Sequence, residues 1–121
     1  MDAHTVVVWL VDDDPLIRKL ADHQVGSDAV RCVTFESGEA LLAATDQPSP
    51  GIVVIDKEMP VMDGLELGQR VRAGGYSGPM ILWTASPGRH VAAAAVEAGF
   101  DRTVSKAISL RSLLGELGMA A

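Results

Sequence analysis

Five short apolar runs, each closed by a polar break and followed by a segment with helical spacing, limit most sharply what this chain can fold into. Residues 6–11 form an unbroken apolar run that stops at Asp12-Asp13-Asp14-Pro15, residues 52–55 stop at Asp56, and residues 80–83 stop at Thr84. An apolar run without alternation is the pattern of a strand covered on both faces. Weaker strand signals at 29–35 and 102–105 complete a set of five.

The intervening segments change period. From Pro15, suited to a first helical turn, Leu16, Ile17, Leu20, Ala21 and Val25 mark one expected helical face, with Gly26 as the stop. Ser37 is placed to cap a helix carrying Ala40, Leu41 and Ala44, and Asp63 one with Leu65, Leu67 and Val71 inward, closed by Gly74-Gly75. An alanine-rich helix over 89–98 should end at Gly99, and Leu110, Leu113, Leu114 and Leu117 form a stripe after a Ser109 cap. Strands alternating with helices require crossover connections. The expected fold is therefore a doubly wound α/β domain, a five-stranded parallel sheet flanked by five helices.

With 121 residues, 1–121 are expected to form one domain with one site, and 48% apolar residues argue against disorder. The formal charge of −6, without any Lys/Arg run, argues against a direct nucleic-acid or anionic-membrane surface. The N-terminus has no secretory pattern and no apolar run approaches the length of a membrane span, so a cytoplasmic location is expected. Cys32, the single cysteine, sits among Val30, Val33 and Phe35 and is expected to be core filler in a reducing compartment. His4, His23 and His90 share no spacing and read as surface residues.

Ligand sites of open parallel sheets lie beyond the carboxyl ends of the strands. By that rule the first strand delivers Asp12 and Asp13, the third Asp56, the fourth Thr84 and the fifth Lys106. Two unit charges about 4 Å apart repel by about 4 kcal/mol at an effective dielectric near 20, so three carboxylates require a proton or a shared cation. Hard oxygen ligands with little caging suit Mg²⁺, with a phosphate completing its shell and Lys106 holding another phosphate oxygen. Asp56, at the end of an apolar run, is then a candidate nucleophile toward phosphorus, with the Thr84 hydroxyl as a donor to a phosphoryl oxygen. Asp14 reads as a helix cap and Asp63 as a cap rather than a ligand. Glu58 and Ser86 flank the acceptor and the hydroxyl, where they would tune the lifetime of an aspartyl phosphate.

Val11-Asp-Asp-Asp-Pro, Ile55-Asp-Lys-Glu-Met-Pro-Val-Met-Asp-Gly, Leu82-Trp-Thr-Ala-Ser and Val104-Ser-Lys resemble the motifs of response-regulator receiver domains of two-component signalling, in the right order over essentially the whole chain. The resemblance implies a flavodoxin-like fold with strand order 2-1-3-4-5, an acidic pair at Asp12 and Asp13, and phosphorylation at Asp56. It also implies a metal-binding backbone carbonyl at Glu58, catalytic and switch groups at Thr84 and Lys106, and Mg²⁺ as cofactor. The implied partners are a histidine kinase or histidine phosphotransfer protein upstream and an output protein or domain downstream. Such a domain is not an enzyme beyond its own phosphorylation and dephosphorylation. Two positions depart from the family pattern. Thr103 stands where an aromatic switch residue is usual, and Ala107 replaces a proline with a cis bond, so Lys106-Ala107 is expected to be trans.

Two other classes compete. A phosphorylation-independent docking module would bind its partner equally well as Asp56→Ala. A haloacid-dehalogenase-type phosphatase would also carry carboxylates two apart after its first strand, as at Asp12 and Asp14, but Pro15-Leu16 lacks the hydroxyl residue that should follow.

Overall fold

The computed structural model describes residues 6–25 (side chains as far as residue 22), 30–44 and 46–117. In chain order the elements are β1 (Val6–Val11), α1 (Pro15–Val25), β2 (Val30–Phe35), α2 (Gly38–Leu42), β3 (Ile52–Asp56), α3 (Gly64–Ala73), β4 (Met80–Thr84), α4 (Arg89–Ala98), β5 (Arg102–Ser105) and α5 (Leu110–Glu116). All neighbouring strands pair in parallel, in the order β2-β1-β3-β4-β5. The fold is the expected flavodoxin-like one.

Because side chains alternate across a strand, each apolar run feeds two cores. Trp9, Val11, Val53, Ile55 and Leu82 face Leu41, Leu67, Val71 and Ala98 from α2, α3 and α4. Val8, Leu10, Ile52, Val54, Ile81 and Trp83 face Ala21 of α1 and Leu110, Leu113 and Leu114 of α5. Each fully buried Leu or Ile contributes about 1.5–3 kcal/mol, which explains why three central strands tolerate no polar residue before their last position. Cys32 packs at the edge of the second core, and burial pushes its thiol up to about 12, consistent with inert filler.

The predicted caps form. Ser37 Oγ accepts from Ala40 N at 3.1 Å, Asp63 Oδ1 from Glu66 N at 2.9 Å, and Ser109 Oγ from Ser112 N at 3.1 Å. Gly99 ends α4 in the left-handed conformation at φ 98°. One helical face differs from expectation. Ile17 and Ala21 of α1 turn toward the core, whereas Leu16 is 60% and Leu20 42% exposed. The pairs 16/20 and 17/21 are both spaced i, i+4 but lie about 100° apart around the axis, and only one can face the sheet. Val25 carries no described side chain, and His4, Gly26 and Ala29 lie outside the described residues. The second helix is also shorter than its apolar spacing suggests, with Ala44 beyond its end.

At the amino ends of the strands, Arg72 ties α3 to the rest. Its Nε donates to Gly99 O at 2.9 Å, Nη1 to Tyr76 O at 3.0 Å and Gly78 O at 2.7 Å, and Nη2 to Asp101 Oδ2 at 3.1 Å. The same Asp101 oxygen accepts Met80 N at 2.9 Å, fixing the start of β4. These bonds tie the starts of β4 and β5 to α3.

Candidate functional site

Register brings the acidic residues together. Val11 stands opposite Ile55, so the residue after β1, Asp12, emerges beside Asp56. Oxygen atoms of Asp12, Asp13 and Asp56 all lie within 4.8 Å of one another. Asp12 is fully buried and Asp56 is 1% exposed, while Asp13 is open to solvent. Three acidic oxygens at this separation, one of them facing water, suit a hard octahedral cation that keeps some of its waters.

Lys106 follows β5, and its amide donates to Thr84 O at 2.8 Å, which holds it against the end of β4. Its Nζ reaches Asp12 Oδ2 at 3.0 Å and Asp56 Oδ1 at 2.9 Å. Burial pushes the Asp56 carboxyl up to about 6 and the Asp12 charge adds to this, against the opposing bonds from Lys106 and the Glu58 amide. Burial acts to lower the Lys106 ammonium, but its bonds to Asp56 and Asp12 outweigh that and leave it raised above its ordinary value. The cation is thus held charged between two carboxylates that repel each other.

Asp56 Oδ1 also accepts Glu58 N at 3.2 Å, and Asp12 Oδ1 accepts Asp14 N at 2.9 Å, so backbone turns orient both acids. Thr84 is fully buried; its hydroxyl donates to Glu58 Oε2 at 2.8 Å and accepts Ser86 N at 3.1 Å. Glu58 therefore contributes its side chain to Thr84, outside the acidic trio. Thr103 is half-buried in β5, opposite Leu82. No cis peptide occurs among the described residues, so Lys106-Ala107 is trans as expected. His90 is exposed.

Two groups at the site carry no signature in the sequence. Arg18 Nη1 donates to Asp12 O at 2.8 Å, and Ala85 N to Glu58 Oε1 at 3.3 Å. An arginine six residues past the acids reads as helix surface, and a backbone amide has no letter of its own.

The family model for the response regulator receiver domain matches residues 8–117. The chain belongs to that family. This receiver domain is 35% identical over 96 residues to the DNA-binding transcriptional regulator NtrC of Salmonella typhimurium, covering 78% of the chain and 20% of that protein. It is 33% identical over 116 residues to the sensor histidine kinase RcsC of Salmonella typhi, covering 96% of the chain and 12% of that protein. It thus spans a fifth or less of the curated relatives it matches. Among solved structures, chemotaxis protein CheY4 of Vibrio cholerae superposes with TM-score 0.86 at 23% identity, covering 97% of this chain and 99% of that one. TrrA of Thermotoga maritima, solved in complex with Mg²⁺-BeF, superposes with TM-score 0.79 at 26% identity over 94% of this chain and 97% of that one. Among the described residues no helix is long and apolar enough to cross a membrane.

In the receiver domain the loop after β3 carries a backbone anomaly. Val61 adopts φ 69° and is 94% exposed, a left-handed conformation that is costly for a β-branched residue with no packing to offset it. Val61→Gly should raise stability by about 1 kcal/mol, the relief of strain exceeding glycine's extra freedom in the unfolded chain. Equilibrium urea denaturation checks it, and a lower midpoint for the variant would contradict the strain.

Proposed function

We propose that this receiver domain of a two-component system accepts a phosphoryl group on Asp56 and so switches a partner-binding surface. The observation that carries this is the buried acceptor carboxylate, bonded to Lys106 and within reach of two further acids. Asp12, Asp13, Asp56 and the Glu58 backbone carbonyl would hold Mg²⁺, which neutralises charge on the phosphoryl oxygens when bound.

An Asp56 oxygen donates an electron pair to phosphorus, forming the acyl phosphate C–O–P bond. The P–N bond of a donor phosphohistidine breaks, its pair stays on the imidazole nitrogen, and that nitrogen takes up a proton. Lys106 moves its ammonium from the Asp56 carboxylate to a phosphoryl oxygen, and the Thr84 hydroxyl donates to another. The acyl phosphate carries about −2 where the carboxylate carried −1, and its three oxygens draw both groups inward and change the surface around β4 and β5. The donor is a histidine kinase or histidine phosphotransfer protein, and the reader is an output protein or domain, in the cytoplasm. Beyond this self-modification the domain turns over no substrate. A phosphorylation-independent docking module is the weaker reading, because docking alone gives no reason to bury two carboxylates against one lysine.

Incubation with a small phosphodonor such as acetyl phosphate and Mg²⁺ should add one phosphoryl mass to the parent and none to Asp56→Asn. An unmodified parent, or an equal mass gain in the variant, would refute the assignment.

A further inference from the structure

The Glu58 carboxylate stays out of the acidic trio and spans two donors at the end of β4: Thr84 Oγ1–H at 2.8 Å and Ala85 N–H at 3.3 Å. Among the described residues it also pairs with Lys57 Nζ at 3.8 Å, a partly exposed pair too long to fix the side chain. A hydroxyl has one proton to give, and Thr84 gives it to Glu58 while Ser86 N occupies a lone pair of the same oxygen at 3.1 Å. The proton needed for a phosphoryl oxygen is therefore already committed. A hydroxyl and a backbone amide side by side form an anion cradle, and a carboxylate of this chain now sits in it.

We propose that the Glu58 carboxylate is an internal competitor of the phosphoryl group for Thr84 Oγ1–H and Ala85 N–H, and that it must leave before the group on Asp56 can be held. This rests on Asp56 being the acceptor. Glu58 is then a positioning residue acting through Thr84: it sets how readily the site loads, and like charge drives it toward solvent once loading occurs. Where Thr103 supplies no ring to swing, the departing carboxylate is itself a change at the β3–α3 and β4–α4 loops that a partner could read.

The test is binding of beryllofluoride, the phosphoryl mimic, with saturating Mg²⁺, followed by tryptophan fluorescence or calorimetry. Glu58→Gln and Glu58→Ala should each bind about tenfold tighter than the parent, equivalent to about 1.4 kcal/mol. In a Thr84→Ala background the same Glu58 substitutions should gain less than about threefold, because the contested proton is gone. A gain that persists in that background would mean a general charge effect and overturn the proposal, as would no gain at all. Mg²⁺ titrated alone should bind the parent and Glu58→Gln within about twofold, and a tenfold change there would assign the effect to the metal and also overturn it. A parent and Glu58 variants that all ignore beryllofluoride, as Asp56→Asn should, would instead bring down the acceptor assignment itself. A parent that binds, with unshifted Glu58 variants, removes only the competitor.

Discussion

Lys106→Met should make the metal-free protein less stable than the parent by about 3 kcal/mol at pH 7, the low end for breaking a buried pair because the lysine side chain is 25% exposed. Methionine keeps much of the apolar stem but leaves the fully buried Asp12 facing Asp56 without the ammonium that bonds both. The pH dependence follows from the Asp56 carboxyl, which burial already lifts from 3.8 to about 6. A carboxyl with a folded value above its unfolded one binds its proton more tightly when folded. Its favourable contribution is thus present below about pH 4 and is lost as pH rises through about 6 in the parent. Without the lysine the folded value rises further, so the loss extends to higher pH and the variant should recover much of its deficit between pH 7 and pH 5. Millimolar Mg²⁺ should restore stability at pH 7 by replacing the missing positive charge. Urea denaturation at both pH values, with and without Mg²⁺, measures this, and a deficit unchanged by acid and by metal would contradict it.

The second large effect is expected at Gly64, the first residue of α3. A Cβ there would fall inside contact distance of the Asp56 carbonyl oxygen and only 2.8 Å from Lys57 Cα. Both obstacles are backbone, and Gly64 N is already tied to Lys57 O at 2.9 Å, so α3 cannot retreat without pulling the end of β3. Gly64→Ala should cost about 3 kcal/mol, at the upper end of ordinary overpacking, and should lower the rate of phosphoryl uptake from acetyl phosphate at least about tenfold. The control is Gly115→Ala, at an exposed position of α5 with nothing near its would-be Cβ, which should be neutral or stabilising and leave uptake unchanged. Equal behaviour of the two variants would show that the close approach at Gly64 has no role.

The strands and their terminal acids were legible because both follow from local chemistry. A short uninterrupted apolar run bounded by turn residues fits a strand covered on both faces, and a carboxylate ending such a run must find compensation. Asp12, Asp13, Asp56, Thr84 and Lys106 are therefore brought to one end as expected, although their roles are what the experiments above test. Helix faces were harder to choose, since Leu16/Leu20 and Ile17/Ala21 offer two equally spaced stripes. The smaller pair faces the sheet, while Leu20 lines an open groove with Trp83, Ala107 and Leu110. The Glu58 contact lay beyond reach for a different reason: its partners are 26 and 27 residues away, and a glutamate in a loop is ordinarily solvated.

The bond from Lys106 to Asp12 joins residues 94 apart in sequence, and β5, the strand that presents the lysine, is four residues long at the margin of the sheet. The chain order makes the acids before the amine that completes them, since β5 is the last of the described strands. Until β5 docks, the two buried carboxylates lack the ammonium that bonds both. In the mature domain, brief fraying of that marginal strand would withdraw the amine and leave Asp12 and Asp56 facing each other uncompensated until it docks again.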